Sequence, residues 1–206
     1  MILPSAGLPP TPAFAGVALD IKIISAGLEF GRIYRKTYSD PLGFGKDPSR
    51  FSDPRRRVPA HRFGVLYLGT SLKVCFLETI LRDERDGIVG QVEIAESELD
   101  DRRYAEIRVR EPLQLADLRG DGPVRMGVPS DVPRSRGQAL ARKWSVAFHD
   151  HPRSLDGIFY PSRLNGESNL AIYGRAVGKL ELARECDLKH AVGLPDVLND
   201  FLVALL

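Results

Sequence analysis

The chain has 206 residues, and 29 Lys+Arg against 27 Asp+Glu leave a formal net charge of only +2. This near-balance argues against a nucleic-acid coat protein or a polybasic membrane binder, because either would carry a clear surplus of positive charge. The length and the hydrophobic fraction of 43% fit one globular domain, and no apolar stretch approaches the roughly 18 residues that span a bilayer. We therefore expect a cytoplasmic protein with no membrane partner.

The N-terminal residues 1–16 contain Pro at positions 4, 9, 10 and 12 and no basic residue, so we expect a loosely ordered extension and not a secretory signal. The domain itself is predicted to span residues 17–206. Apolar or alternating runs predict strands over residues 17–24, 30–38, 64–69, 88–94, 104–109, 113–118, 157–161, 169–173 and 177–182.

Three segments have helical patterns. Ser71 is a candidate N-cap for a helix that runs to about Arg82, and a second helix is predicted over residues 133–148. Residues 194–205 place apolar side chains at i, i+3, i+4 and i+7, which predicts an amphipathic helix. Strands outnumber helices, and no boundary for a second domain is visible. The predicted fold is therefore α+β, a single compact domain with mixed sheets and a few helices.

A long connection from residue 40 to residue 60 contains four prolines and two glycines, and a loop of this kind is usually functional or disordered. Arginine supplies 22 of the 29 basic residues, and five arginines lie between Arg50 and Arg62. Guanidinium groups bind phosphate and carboxylate in a planar, bidentate manner. The excess therefore indicates either an anion site or a coding bias that spreads Arg over the surface.

The cysteines and histidines show no metal-binding pattern. Cys75 and Cys186 form no CxxC motif, and we expect buried thiols in preference to a disulfide. Of the four histidines, only His149 and His151 are close in sequence, without a neighbouring Cys or an HExxH spacing. No metal site is therefore expected.

Two polar residues stand out in apolar surroundings. Glu78 is the only acid between residues 74 and 81, so its carboxylate lies either on the solvent side of the helix or against a cation. Ser162 follows an apolar strand, where exposed functional side chains occur but inert turn serines are also common. No GxSxG elbow surrounds Ser162, so a serine-hydrolase triad is not supported.

Several short motifs follow one another along the chain: Tyr34-Arg35, Arg50-Phe51, Leu66-Tyr67-Leu68, Glu78, and Tyr160-Pro161-Ser162-Arg163 with Asn169. In this order they resemble the RES-domain family, named for its Arg, Glu and Ser, whose members are toxins of bacterial toxin–antitoxin pairs. The resemblance covers roughly residues 28–185 and is strongest over residues 62–83 and 156–174. The Pro-rich N-terminus and the run Arg55-Arg56-Arg57 depart from the pattern.

The resemblance implies an enzyme that consumes NAD+, on a fold similar to that of ADP-ribosyltransferase toxins. It implies catalytic roles for Arg35, Glu78 and Ser162. It also implies substrate-binding roles for Tyr34, Arg50, Tyr67 and Asn169. No cofactor is expected, because NAD+ is the substrate and the chain lacks a GxGxxG motif. Inorganic phosphate is a candidate co-substrate.

Cleavage of the nicotinamide–ribose bond makes sense of these residue types. Glycosidases need a second carboxylate to protonate the leaving oxygen, whereas nicotinamide leaves as a neutral molecule and needs no general acid. Glu78 would stabilise the positive charge that develops on the ribose. Arg35 and Arg50 would hold the diphosphate or an incoming phosphate, and Tyr67 would stack on the substrate.

Other functions remain open from the sequence. The leading prediction is NAD+ degradation by phosphate or by water, and the alternative is transfer of ADP-ribose to a protein in the same pocket. A third possibility is a non-enzymatic module that binds nucleic acid through the Arg50–Arg62 loop, although the low net charge argues against it.

The resemblance also implies a partner protein. It predicts a cognate antitoxin, typically with an Xre-type helix-turn-helix domain, that blocks the mouth of the pocket. The predicted C-terminal helix is expected to pack on its own domain, and docking on a partner or a second copy in a homodimer is the alternative.

Overall fold

The structure, a computed structural model, describes residues 7–55, 58–82, 84 and 86–206. Within these residues, eight strands form one mixed sheet, two more form a small sheet, and six short α-helices surround them, which confirms the predicted α+β fold. The strands are β1 Ile21–Ile24, β2 Glu29–Arg35, β3 Val65–Gly69, β4 Val92–Ile94, β5 Arg102–Val109, β6 Leu113–Asp117, β7 Gly157–Pro161, β8 Ser168–Tyr173, β9 Leu180–Asp187 and β10 Val203–Leu205. The helices are α1 Leu72–Phe76, α2 Ser97–Asp100, α3 Gly122–Arg125, α4 Asp131–Arg134, α5 Ala139–His149 and α6 Leu194–Asp200.

The large sheet has the strand order β1-β6-β7-β8-β3-β2-β5-β9, in which β6 and β7 are parallel and the other neighbours antiparallel. Ile24 on β1 and Leu180 on β9 lie at opposite ends of this order, yet both join one buried cluster around Leu66 and Leu68. The sheet therefore curls around this cluster. Among the described residues, β2 and β3 pair only where Gly31 faces Gly69, so the sheet opens beyond this point.

Helix α5 and the N-terminal segment cover the opposite face of the sheet. The ring of Phe14 is 5% exposed and lies edge-on, 5.0 Å from the ring of Trp144 and 5.2 Å from that of Phe148. The indole N–H of Trp144 donates to the carbonyl of Leu8 at 3.0 Å. Residues 1–6 lie outside the described residues. Leu8 and Phe14 attach part of the predicted extension to α5, and the domain boundary at residue 16 stays a prediction.

Helix α1 begins as predicted, because the Ser71 hydroxyl accepts the Val74 N–H at 3.1 Å. The helix continues into a wider, π-helical turn over Leu77–Leu81. Its apolar side packs with α6 and the small sheet around Ile33 of β2. Cys75 is buried in this cluster, Cys186 is half-buried beside it, and both carry free thiols as expected.

Two helix predictions are wrong in part. Helix α6 ends at Asp200, Leu202 adopts a φ of +50°, and the chain then forms β10, which pairs in parallel with β4. Val203 packs against the same buried cluster as helix α1, so an apolar residue of the predicted helix is placed there by a strand. The segment 133–148 is divided between α4 and α5, and Gly137, a poor helix former, lies between them. None of the helices in the described part of the chain is long and apolar enough to cross a membrane.

Candidate active site

A cleft of about 530 Å³ lies where β2 and β3 separate. Parts of the chain that are far apart in sequence form its walls: the long loop near residues 45–50, helix α1 with its wide turn, residues 136 and 138, and the end of β7 with the turn that follows. The long loop between β2 and β3 therefore contributes to the cleft, in agreement with its interpretation as a functional loop.

Glu78 lies in this cleft and is held by two neutral donors. The Ser162 hydroxyl donates to Glu78 Oε1 at 2.7 Å, and the Asn169 side-chain amide donates to the same oxygen at 3.1 Å. Ser162 and Asn169 are 3% and 4% exposed, respectively, so both donors are almost excluded from bulk water. Glu78 itself is half-buried, and within the described residues its carboxylate accepts hydrogen bonds from these two neutral donors.

The backbone around Glu78 is fixed by the wide turn of the helix. This turn closes through a hydrogen bond from the Arg82 N–H to the Leu77 carbonyl at 2.6 Å. Arg82 has a φ of +39°, and its Nε donates back to the Glu78 carbonyl at 3.1 Å. Turns of this type and left-handed residues other than glycine are concentrated at functional sites. The local geometry thus holds Glu78 at a defined place in the cleft wall.

Tyr67 forms another wall and is locked by the long loop. Its hydroxyl accepts the Phe51 N–H at 2.8 Å and lies 2.9 Å from the Ser49 hydroxyl. Burial raises the pKa of Tyr67, so its hydroxyl stays protonated at neutral pH. Between Ser49 and Phe51, Arg50 lines the cleft and donates from Nη1 to the Ser135 carbonyl at 2.7 Å. The loop therefore places the Arg50 guanidinium in the cleft, near the fixed ring of Tyr67.

The arginine that β2 contributes to the cleft is Arg32. Arg32 lines the cleft and donates through Nη1 to the Pro41 carbonyl, and its burial lowers its pKa, an effect that Asp40 partly opposes. Arg35 is exposed at the end of the strand and does not line the cleft. Arg35 lies three positions beyond Arg32 on β2, so the structure does not bring it together with Glu78 in the cleft, and its catalytic role stays a prediction.

Tyr34 also lies away from the cleft. Its ring is buried in the core that the curled sheet encloses, and its hydroxyl donates to Glu185 Oε2 on β9 at 2.5 Å. Burial first, and then this hydrogen bond, raises the pKa of Tyr34 to about 12. These contacts place Tyr34 in the core of the domain, and the substrate contact that the resemblance implied stays a prediction.

Tyr160 lines the cleft although the sequence analysis gave it no role. It is directly opposite Asn169 in the β7–β8 pairing, so both side chains lie on the same face of the sheet. Burial raises the pKa of Tyr160 well above its ordinary value, with smaller contributions from Tyr67 and Glu78, which Arg50 opposes. Side chains two positions apart on a strand point the same way, so the position of Tyr160 two residues before Ser162 was a sequence signal for it.

The lining of the cleft is rich in positive charge. Among the described lining residues, two are acidic, Asp47 and Glu78, and five are arginines: Arg32, Arg50, Arg82, Arg136 and Arg163. An anionic ligand with several phosphate oxygens suits such a lining.

The basic run that suggested nucleic-acid binding has a different arrangement. Arg55 pairs with Asp53 through Nη2 at 3.0 Å and also with Asp150, so its charge is engaged within the domain. The Arg62 guanidinium donates to the Lys46 carbonyl at 3.2 Å. Arg56 and Arg57 lie outside the described residues. These contacts account for two of the five arginines as structural residues.

Comparison with known proteins gives consistent matches. Residues 29–189 match the model of the RES domain, and this range contains every residue of the cleft discussed above. The chain is 38% identical over 124 residues to the probable toxin y4kH of Sinorhizobium fredii (strain NBRC 101917 / NGR234), which covers 59% of this chain and 96% of that protein. It also superposes on a chain in the crystal structure of the M. tuberculosis MbcT–MbcA toxin–antitoxin complex, with a TM-score of 0.59, 18% identity, and coverage of 87% of this chain and 91% of the other. The last match concerns the fold.

Proposed function

The chain belongs to the RES-domain family, and on this premise we propose that it is the toxin of a toxin–antitoxin pair and degrades cytoplasmic NAD+ by cleaving its nicotinamide–ribose bond. The observation that carries the proposal is the Glu78 carboxylate, held by the Ser162 hydroxyl and the Asn169 amide in an arginine-lined cleft. Because both donors are neutral, the carboxylate keeps its negative charge for the cation that develops on the ribose.

In the proposed reaction, the bond between ribose C1′ and the nicotinamide nitrogen breaks, and its electron pair leaves with neutral nicotinamide. A new bond forms between C1′ and an oxygen of phosphate or water, and attack by water releases one proton to solvent. Glu78 stabilises the oxocarbenium-like transition state between these events. No second carboxylate is required, because nicotinamide leaves as a neutral molecule and needs no proton.

The other residues of the cleft have binding roles in this proposal. Arg32 and Arg50 hold the diphosphate through charge-assisted hydrogen bonds, and Arg32 takes the place that the sequence analysis gave to Arg35. The fixed ring of Tyr67 supports the nicotinamide or the ribose face. Tyr160, which stays protonated, donates a hydrogen bond to the bound substrate.

Incubation of the purified protein with NAD+, with and without inorganic phosphate, tests this function. Release of free nicotinamide supports it, and a sugar-phosphate product that requires phosphate identifies the phosphorylase, whereas ADP-ribose in both mixtures identifies hydrolysis. Transfer of the label from adenine-labelled NAD+ to protein would favour the ADP-ribosyltransferase. Survival of NAD+ in every mixture, with a folded protein, contradicts the enzymatic proposal.

The proposal includes an antitoxin that covers the mouth of the cleft and carries an Xre-type helix-turn-helix domain. The structural match to a chain of a toxin–antitoxin complex supports such a partner. Adding the purified cognate antitoxin is expected to abolish nicotinamide release at a stoichiometric ratio. Full activity in a complex that gel filtration shows to be intact would contradict the placement of the antitoxin at the cleft.

A further inference from the structure

The turn between β7 and β8 sets the position of the hydroxyl that binds Glu78. Within the turn, the Ser162 N–H donates to the Glu167 carbonyl at 2.5 Å. The Ser162 hydroxyl, which donates to Glu78, also accepts the Leu164 N–H at 3.1 Å. The hydroxyl is thus tied to the backbone of the turn, and any displacement of the turn moves it relative to the carboxylate.

The side chain of Glu167 attaches this turn to the start of helix α1. Its Oε2 accepts the Ser71 hydroxyl at 2.5 Å, and its Oε1 accepts the Asn165 amide N–H at 3.0 Å. Ser71 is the N-cap of the helix whose continuation carries Glu78, two turns further along. A closed set of contacts therefore runs from Glu78 to Ser162, through the turn to Glu167, and back through Ser71 and the helix.

The link between the turn and the helix has a second, backbone component. The Thr70 N–H and hydroxyl both donate to the Ser168 carbonyl, at 3.1 and 3.0 Å. These bonds are made at the first residue of β8, whereas the Glu167 side chain holds the part of the turn that lies closer to Ser162. Glu167 is not among the described residues that line the cleft, so its geometry indicates an effect through its neighbours and no contact with substrate.

We propose that Glu167 is a positioning residue, which through Ser71 holds the β7–β8 turn and helix α1 at the separation that lets the Ser162 hydroxyl orient the Glu78 carboxylate. This inference rests on the proposed function, because it concerns the orientation of the group that stabilises the ribose cation. Because both Thr70 bonds converge on one carbonyl oxygen, the turn can pivot about that point, and the bond from Ser71 to Glu167 is a second link that removes this freedom. A displacement of about 1 Å at a reacting group can cost about 100-fold in rate.

Variants at positions 71 and 167 separate this role from general stability. Ser71→Asp keeps a side-chain acceptor for the helix N-cap but places a second carboxylate against Glu167. The double variant Ser71→Asp/Glu167→Gln replaces this repulsion with an amide that can donate to the new carboxylate. Glu167→Ala removes the link altogether, and Glu111→Gln, at an exposed glutamate outside the cleft, is the matched control.

Steady-state kinetics with NAD+ gives the first readout. We expect Ser71→Asp and Glu167→Ala to lower kcat about 10- to 100-fold with KM for NAD+ within about 2-fold of wild type, because the orientation of Glu78 changes while the arginines remain in place. The double variant should recover most of the kcat, and Glu111→Gln should match wild type. Unchanged kcat in both disruptive variants, or no recovery in the double variant, overturns the proposal.

Amide hydrogen exchange of Leu164, followed by NMR, gives a readout that does not depend on catalysis. We expect faster exchange in Ser71→Asp and near wild-type exchange in the double variant, since the Leu164 N–H reports the bond to the Ser162 hydroxyl. Faster exchange across the whole chain would mean a general loss of stability and overturns the specific role. If wild type leaves NAD+ intact, the proposed function fails, whereas selective exchange at Leu164 still tests the link made by Glu167.

Discussion

Replacement of Glu78 by Gln separates the charge of this side chain from its shape. The amide oxygen of Gln can accept the same two hydrogen bonds, from Ser162 at 2.7 Å and from Asn169 at 3.1 Å. We therefore expect the free energy of unfolding to stay within about 1 kcal/mol of wild type. The charge that stabilises the ribose cation is lost, and kcat should fall about 10²- to 10³-fold, equivalent to about 2.7–4 kcal/mol.

The variant Glu78→Ala provides the contrast. It removes the acceptor as well as the charge and leaves the Ser162 and Asn169 donors unpaired in positions that are 3% and 4% exposed. Each unpaired buried donor costs about 1–3 kcal/mol, so the free energy of unfolding should fall by about 2–6 kcal/mol. Urea unfolding measures the stability of both variants, and nicotinamide release measures kcat. A Glu78→Gln variant with wild-type kcat would refute the electrostatic role of Glu78, and a fully stable Glu78→Ala variant would refute the hydrogen-bond assignment.

Three further predictions concern neighbouring groups. Arg32→Gln should raise KM for NAD+ about 10-fold or more, whereas the chemically matched Arg35→Gln should change it less than about 2-fold; steady-state kinetics with the opposite ranking would return the role to Arg35. Tyr160→Phe should lower kcat/KM about 10-fold, and because the pKa of Tyr160 is raised well above its ordinary value, the loss should be equal at pH 6 and pH 9; a loss that vanishes at pH 9 would contradict a protonated donor. Burial alone would raise the pKa of Asp53, but the hydrogen bonds from Arg55 lower it, so its stabilisation is complete above the unfolded value of about 3.9 and is lost as the pH falls toward the lower folded value. Asp53→Asn should therefore cost about 1–3 kcal/mol in urea unfolding at pH 7 and much less at pH 2, and an equal cost at both pH values would show that the carboxylate charge is not responsible.

Local signals in the sequence predicted the parts of the site that depend on neighbouring residues. Ser71 follows a short apolar strand and precedes an apolar helical run, and the structure places it as the N-cap of α1. Glu78 stood out as the only acid in that run, but its two donors, Ser162 after β7 and Asn169 in β8, are far from it in sequence and no local signal identified them. The Ser71 prediction succeeds because capping acts over a few residues.

The remaining assignments depended on which residues of a strand border the cleft. Gly31, Arg32 and Ile33, from both faces of β2, line it, so alternation along the strand does not choose between Arg32 and Arg35. That choice follows from contacts between residues far apart in sequence, such as the pairing of Gly31 with Gly69, beyond which β2 and β3 separate. Alternation pointed to Tyr160 only relative to Ser162, and its place opposite Asn169 depends on the pairing of β7 with β8.

The end of the chain shows how one apolar pattern fits two structures. The spacing of apolar residues over 194–205 predicted one helix, and the first half forms α6 as expected. The second half turns at Leu202 and pairs with β4, where Val203 lies beside Val92. The pairing of β10 with β4 depends on tertiary structure and cannot be read from local spacing. It outweighs the weak helical preference of the short segment after Leu202.

The measurement that tests the central claim most directly is a crystal structure of the Glu78→Gln variant with intact NAD+ bound. The proposed function predicts that the ribose C1′ atom faces the side chain at position 78 and that the diphosphate lies against Arg32 and Arg50. NAD+ bound elsewhere, or bound in the cleft with its diphosphate beside position 78 and its nicotinamide–ribose bond remote from it, would contradict the account.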